Sequence, residues 1–350
     1  MQISEMLTHA VQQRASDLHL SSGLPPVLRI DGSLSAASDQ VLSHDEIASA
    51  MHDIMNEIQR QSFAKTLEAD FSYEVPGVSR FRVNAYYQIR GMSVAFRAIP
   101  SKVPSLSDLQ APDVFTDFAL RPRGLVLVTG PTGSGKSTTM AAMIDELNRS
   151  QSKHVLTIED PIEFVYQPDR CLINQREVGS QTLSFSNALR AAMREDPNVI
   201  LVGEMRDLET IRLAITAAET GHLVLATLHT SGAAKAIDRI IDVFPAEEKL
   251  VVRSMLSESL TAVISQVLCK KKDGPGRVAA YEIMVGSTAV RNLIRESKIA
   301  QLYSAMQTGS NVGMQTLDQA LVKLVQQGQI SKEEAAAKAR YPENFGGREM

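Results

Sequence analysis

The chain has no tryptophan and only two cysteines in 350 residues. Cys171 and Cys269 lie far apart and form no CxxC pair, which argues against a zinc site or disulfide framework and makes a reducing cytoplasm the expected setting. No apolar run approaches the ~18 residues of a membrane span, so none is expected. The opening MQISEMLTHAVQQRASDLHL has no basic stretch followed by an apolar core, and no secretory signal is expected either. Neither charge sign dominates: the net charge is −4, and the one dense basic run is Lys270-Lys271-Lys272. Because Asp273-Gly274-Pro275-Gly276 follows, that run reads as a solvated turn. A nucleic-acid channel needs a basic groove and stacking aromatics, so nucleic acid is not an expected partner. Internal repeats and low-complexity tracts are also missing.

What is present is ordinary for a soluble globular chain, with 44% hydrophobic and 22% charged residues, long enough for about two domains. Residues 1–100 read as an N-terminal unit. It has an opening helix, a strand at Leu18-His19-Leu20, a hairpin-like VLRIDG at 27–32, and a helical stretch at 43–65 started by Ser43 and Glu46 at capping-box spacing. Residues 79–100 alternate as two strands joined around Gln88 to Gly91. Pro100, Pro104, Pro112 and Pro122 mark residues 101–123 as an expected linker. From residue 124 short apolar runs alternate with helical patterns, predicting an α/β domain with a parallel sheet over 124–350. After Pro245 the pattern is mostly helical.

The most informative segment is Gly130-Pro131-Thr132-Gly133-Ser134-Gly135-Lys136-Ser137-Thr138, which reads GxxxxGK[ST]. The wholly apolar Leu125-Val126-Leu127-Val128 precedes it as a buried strand, and Met140, Met143, Ile144 and Leu147 follow at helical spacing. The glycines let successive backbone N–H groups face phosphate oxygens, and the helix N-terminus adds positive potential. Lys136 would reach the β- and γ-phosphates, and the Ser137 hydroxyl would ligate Mg²⁺. A nucleoside triphosphate is the expected ligand.

Ligands of open α/β sheets bind beyond the carboxyl ends of the strands. The runs at 154–160, 198–204 and 222–229 end in Glu159-Asp160 (Glu163 close behind), in Gly203-Glu204, and in His229. Glu204 suits a residue that orients the attacking water. Gly203 stands where an acid is usual for the Mg²⁺ shell, and Glu159, Asp160 or Glu163 could supply it. His229 reads as a γ-phosphate sensor. His222, seven residues earlier and about 23 Å away on an extended strand, cannot share its site. In the 79–100 hairpin a symmetric loop sets Arg82 opposite Arg97 on one face, an unfavourable pairing that an anion between them would relieve. Arg80 and Arg90 read as surface residues.

In order, GPTGSGKST, IEDPIEF (158–164), ILVGEMRD (200–207) and TGHLVLATLHT (220–230) resemble the Walker A, Asp box, atypical Walker B and His box of the type II secretion and type IV pilus ATPase superfamily. ASDLHL (15–20) and RIDG (29–32) are similar to its N-terminal domain. AVRNLIRE (289–296), the short length and the missing CxxC motif resemble its pilus-retraction branch rather than the assembly ATPases. The resemblance implies a PAS-like α+β N-terminal domain, a RecA-like P-loop core with helical C-terminal segments, and a homohexameric ATPase ring. It further implies pilus disassembly, a cytoplasmic place against an inner-membrane pilus platform protein, and Arg82 and Arg97 acting across a subunit boundary. In AVRNLIRE, Val290, Leu293 and Ile294 form the expected buried set, and Arg291, Asn292, Arg295 and Glu296 lie outside it. By pattern alone that face reads as a solvated one; only the resemblance implies that it is free for a partner.

Overall fold

A computed structural model describes residues 2–30, 32–99 and 102–346. Asp31 of the RIDG stretch and Pro100, with the domain boundary expected there, lie outside the described residues. The chain divides into two compact units. The first is Met1–Lys102 with Asp160–Val165 and Glu177–Leu183; the second is Val103–Glu159, Tyr166–Arg176 and Ser184–Met350.

The first unit runs α1 (Ile3–Gln12), β1 (Asp17–Ser21), β2 (Val27–Ile30), β3 (Ser33–Ala36), α2 (His44–Ile54), α3 (Glu57–Thr66), β4 (Glu68–Val75), β5 (Ser79–Gln88) and β6 (Gly91–Ile99). Its sheet has the order β3-β2-β1-β6-β5-β4, with every neighbouring pair antiparallel. Alternation sends Leu18, Leu20, Phe81, Val83 and Phe96 into a core completed by Leu7, Ile47 and Met51 from the helices. The helical stretch expected at 43–65 is two helices. Asn56 caps the second by accepting from the Gln59 amide, a local bond that competes with helix continuation. The β5–β6 hairpin pairs Gln88 with Gly91 and Arg82 with Arg97, the register that a symmetric loop requires.

The second unit runs α4 (Val114–Ala119), β7 (Gly124–Thr129), α5 (Lys136–Ser150), β8 (His154–Glu159), β9 (Leu172–Glu177), α6 (Phe185–Ala192), β10 (Val199–Val202), α7 (Leu208–Glu219), β11 (Leu223–Leu228), α8 (Ala233–Asp242), α9 (Lys249–Ser259), β12 (Leu260–Lys270), β13 (Arg277–Val285), α10 (Thr288–Arg295), α11 (Leu302–Thr308), α12 (Leu317–Gln326) and α13 (Lys332–Lys338). The sheet order is β13-β12-β7-β11-β10-β8-β9. From β12 to β8 neighbouring strands are parallel, so their carboxyl ends form one rim. Within the stretch expected to be a linker, α4 buries Phe115 and Phe118, with Phe115 edge-on to Tyr281 at 4.9 Å.

The chain after Pro245 departs from its helical reading, because β12 and β13 intervene before α10. LTAVISQVLCK is apolar on both faces, and such a run carries no period that separates a buried strand from a buried helix. The three lysines sit where the turn was expected, in the β12–β13 hairpin that pairs Lys270 with Arg277.

Candidate nucleotide-binding site

The glycine-rich loop leaves the carboxyl end of β7, and α5 begins at Lys136. Ser137 and Thr138 therefore fall in the first helical turn, where backbone N–H groups have no intrahelical acceptor. The Lys136 ammonium donates to the Gly130 carbonyl at 2.9 Å and the Pro131 carbonyl at 3.0 Å, and lies 3.3 Å from His229 Nδ1. Buried hydroxyls of Thr129, Ser134 and Thr230 make no hydrogen bond among the described residues. Buried hydroxyls of this kind near a strand rim take a polar partner, water or ligand.

His229 follows β11 and Glu204 follows β10, the neighbouring strand. His229 Nε2 is 3.2 Å from Glu204 Oε1, and Arg206 Nη2 is 2.7 Å from Glu204 Oε2. With Lys136 donating to Nδ1, the imidazole proton sits on Nε2 and points at Glu204. The four side chains form a continuous series: Lys136, His229, Glu204, Arg206. Burial works to raise the Glu204 carboxyl's pKa. The hydrogen bond and charge of Arg206, together with His229, outweigh it and hold the group below the ordinary glutamate range. Glu204 is thus an oriented carboxylate of modest basicity. His222, at the other end of β11, bonds the Ala217 carbonyl through Nδ1 at 3.0 Å and closes the end of α7.

Space at position 203, where an acid was expected, is tight. Gly203 donates to the Ile158 carbonyl, and a Cβ there would stand 3.2 Å from both the Glu159 Cα and the Ile158 oxygen. A side chain would press on β8. The adjacent strand supplies a carboxylate instead: Glu159 is 8% exposed and accepts from Thr157 Oγ1 at 2.7 Å and Gln175 Nε2 at 3.3 Å. A hydroxyl and a carboxylate are the oxygen donors a hard cation takes. No cluster of three His, Cys, Asp or Glu side chains able to hold a metal occurs among the described residues. Mg²⁺ needs none when phosphate oxygens and water complete its shell, so Ser137 and Glu159 fit it.

Asp160 and Glu163 belong to the first unit, apart from Glu159. There Ile162 donates its amide to Glu177 Oε2 at 3.0 Å. Glu177, 2% exposed, also accepts from Ser72 Oγ at 2.7 Å and Arg80 Nη2 at 2.9 Å. Arg80 is therefore no surface residue but the counter-ion of a buried glutamate. Strand alternation already put it on the face of Arg82, the one signal that could have found it.

The paired arginines each have an aspartate. Arg82 binds Asp70 through two bonds, at 2.5 and 3.1 Å, and Arg97 Nε binds Asp17 at 2.9 Å. The Asp70 hydrogen bond, against opposing burial, holds the Arg82 guanidinium's pKa above its ordinary value, with the charges of Asp70, Glu163 and Asp160 adding to it. At Asp17 burial pushes the carboxyl up, but Ser16 and Arg97 overcome it and the net shift is down. The repulsion that an outside anion would relieve is thus offset within the sheet by Asp70 and Asp17.

Arg291 overturns another expectation. It is not free: Nε donates to the Gly286 carbonyl at 2.7 Å, Nη1 to Glu258 at 2.5 Å and Nη2 to Leu260 at 3.0 Å. The helix α10 buries Val290 and Ile294, half-buries Leu293, and exposes Asn292 and Arg295. A cavity of about 450 Å³ lined by Tyr303, Met314, Val322 and Tyr341 involves none of the phosphate-loop or strand-end residues.

A phosphate-cradling loop on the carboxyl rim of a parallel sheet, with a lysine, a histidine and a glutamate converging beside it, defines a P-loop nucleotide-binding protein. Residues 1–274 match the model of the type II/IV secretion system protein family. The type IV pilus retraction ATPase PilT of Pseudomonas aeruginosa is 62% identical over 345 residues, covering 99% of this chain and 100% of that protein. A twitching motility protein of Neisseria gonorrhoeae is 56% identical, covering 98% and 91%. The crystal structure of the pilus retraction motor PilT with bound ADP superposes with a TM-score of 0.91 at 47% identity, covering 98% of each chain. This chain belongs to the type II/IV secretion system protein family.

Proposed function

We propose that the chain is the ATP-hydrolysing motor that retracts type IV pili and drives twitching motility, working as a homohexamer on the cytoplasmic side of an inner-membrane pilus platform protein. The observation that carries the chemistry is the series Lys136–His229–Glu204–Arg206 at the mouth of the phosphate loop. Full-length relatives named for pilus retraction and twitching supply the biological task.

Residues 130–138 hold the triphosphate through loop amides, and Lys136 neutralises charge on its β- and γ-phosphates. Ser137 and Glu159, with Asp160 as an alternative, would hold Mg²⁺, which would supply positive charge against the phosphate oxygens. Glu204 orients the attacking water. Its depressed pKa suits phosphoryl transfer, where the transition state is loose and positioning outweighs early proton removal. His229 holds Glu204 by one ring nitrogen and Lys136 by the other, so a γ-phosphate drawing Lys136 forward is sensed at the carboxylate. Glu163 assists Glu204 or serves as the alternative base. Arg82 and Arg97 act from a neighbouring subunit, exchanging Asp70 and Asp17 for phosphate oxygens.

Glu204→Gln keeps shape and nucleotide contacts but cannot accept a proton. It should bind ATP tightly while turnover falls by about 10²–10⁴. Binding and steady-state hydrolysis measured on Glu204→Gln and Glu163→Gln decide the assignment. If only Glu163→Gln is inactive, the water is handled by the Asp-box acid instead.

A further inference from the structure

The strand beside the P-loop strand carries a buried amide for which phosphate chemistry has no direct use. Gln266 lies on β12, which runs parallel to β7 with Ser265 level with Thr129, and it is 1% exposed. Its Nε2 donates to the Ser134 carbonyl at 2.5 Å, and its Oε1 accepts from Thr139 Oγ1 at 2.8 Å. The first contact holds the loop at its bend, and the second holds the first turn of α5. The main chain at the same residue sets a third boundary: a Cβ on Gly130 would stand 2.4 Å from the Gln266 carbonyl oxygen. Gly130 also has φ +143°, so the loop can leave β7 this close to β12 only with glycine there. On the neighbouring strand Tyr281 is paired with Gln266 across the β12–β13 ladder. A single residue thus ties the bend and helical exit of the phosphate loop through its side chain, and borders its start through its carbonyl, from a strand on which no expected phosphate or metal contact lies.

We propose that Gln266 is a positioning residue for nucleotide binding, setting the curvature of residues 130–139 from beneath so that the loop amides face a phosphate before it arrives. This rests on the reading of the loop as the nucleotide site. The physical gain is preorganisation. A loop whose bend is already fixed loses less conformational freedom when the phosphates dock, and the difference is read in affinity. Removing the amide frees the loop without removing any group that touches phosphate. Nucleotide affinity should therefore suffer while the chemical step, set by Lys136 and Glu204, is nearly retained at saturation.

The test uses the full-length chain with Mg²⁺ and a fluorescent ADP analogue for affinity, ATP for kinetics, and thermal melts for folding. Gln266→Met keeps volume and removes both hydrogen bonds. Thr139→Val removes only the contact at the helical exit and serves if the first variant folds poorly. For Gln266→Met the dissociation constant and KM should rise about tenfold, the factor of one or two lost hydrogen bonds, with kcat within about threefold. Thr139→Val should raise them about threefold by the same reasoning. Affinities within twofold of wild type in both folded variants would overturn the proposal. So would a fall in kcat that tracks lost thermal stability at unchanged KM, the pattern of a residue that only fills the core. If the wild-type chain itself fails to bind the analogue, the nucleotide reading falls, and the role of Gln266 with it.

Discussion

Replacing Arg291 by alanine tests whether AVRNLIRE is a docking face or a structural clamp. The guanidinium gives three hydrogen bonds, to the carbonyls of Gly286, Glu258 and Leu260. Two of these acceptors belong to the exit of α9 and the start of β12, where helix-end carbonyls have no intrahelical donor. A hydrogen bond to a charged group contributes about 1.5–3 kcal/mol. The site is half-buried and water can replace part of the loss, so about 2–4 kcal/mol in all is expected for Arg291→Ala. At about 2–4 °C per kcal/mol for a unit of this size, the melting temperature should drop by roughly 4–16 °C. Arg291→Lys cannot span three carbonyls and should recover only part of it. Arg295→Ala is the control. Its recorded partner is Asn292 at the long distance of 3.5 Å, and an exposed site of this kind shifts stability by about 0.5 kcal/mol at most. Melts of the three purified variants by circular dichroism decide the matter. An Arg291→Ala melting temperature within about 2 °C of wild type would refute the clamp, because three charge-assisted bonds cannot vanish at so small a cost.

Asn292 and Arg295, which are exposed, can be changed together to alanine without touching that clamp. ATPase activity should stay near wild type while twitching is lost, and normal twitching would remove the partner role from this face. Arg82→Ala and Arg97→Ala should each cost about 10³–10⁵ in turnover if they act as arginine fingers. Mixed with Glu204→Gln subunits they should regain activity at interfaces holding both intact partners; rings shown to be mixed yet inactive would exclude action in trans. Burial pushes the Tyr281 hydroxyl up to about 12, against a small opposing effect of Thr139. The folded pKa lies above the unfolded value of about 10, so this stabilisation is complete below pH ~10 and is lost as pH rises through the folded pKa. Ultraviolet titration should show a late step that Tyr281→Phe removes, and its absence from the wild-type protein would contradict the burial.

Local chemistry was legible in the sequence wherever neighbours in the chain carry it. The glycine spacing, the apolar run before it and the helical stripe after it encode β7, the loop and α5 in one continuous segment. The facing of Arg82 and Arg97 followed from the symmetry of a short hairpin. What escaped depends on which distant strand lies alongside. Gln266 meets the loop from 132 positions away, because β12 returns to pair with β7. Arg80 meets Glu177 from 97 positions away, and nothing in LINQRE marks its last residue as buried. Arg291 looked free because helical periodicity sorts apolar from polar faces and is blind to a polar face that caps a neighbouring helix.

The central claim is that phosphate-loop chemistry in this chain powers pilus retraction. The direct measurement is the shortening rate of fluorescently labelled pili in cells lacking the protein, complemented with wild type, Lys136→Ala or an empty vector. Wild type should restore retraction, while Lys136→Ala, folded and present at equal level, should leave pili extended as the empty vector does. Retraction at the wild-type rate with Lys136→Ala, or pili that stay extended with wild type, would contradict it.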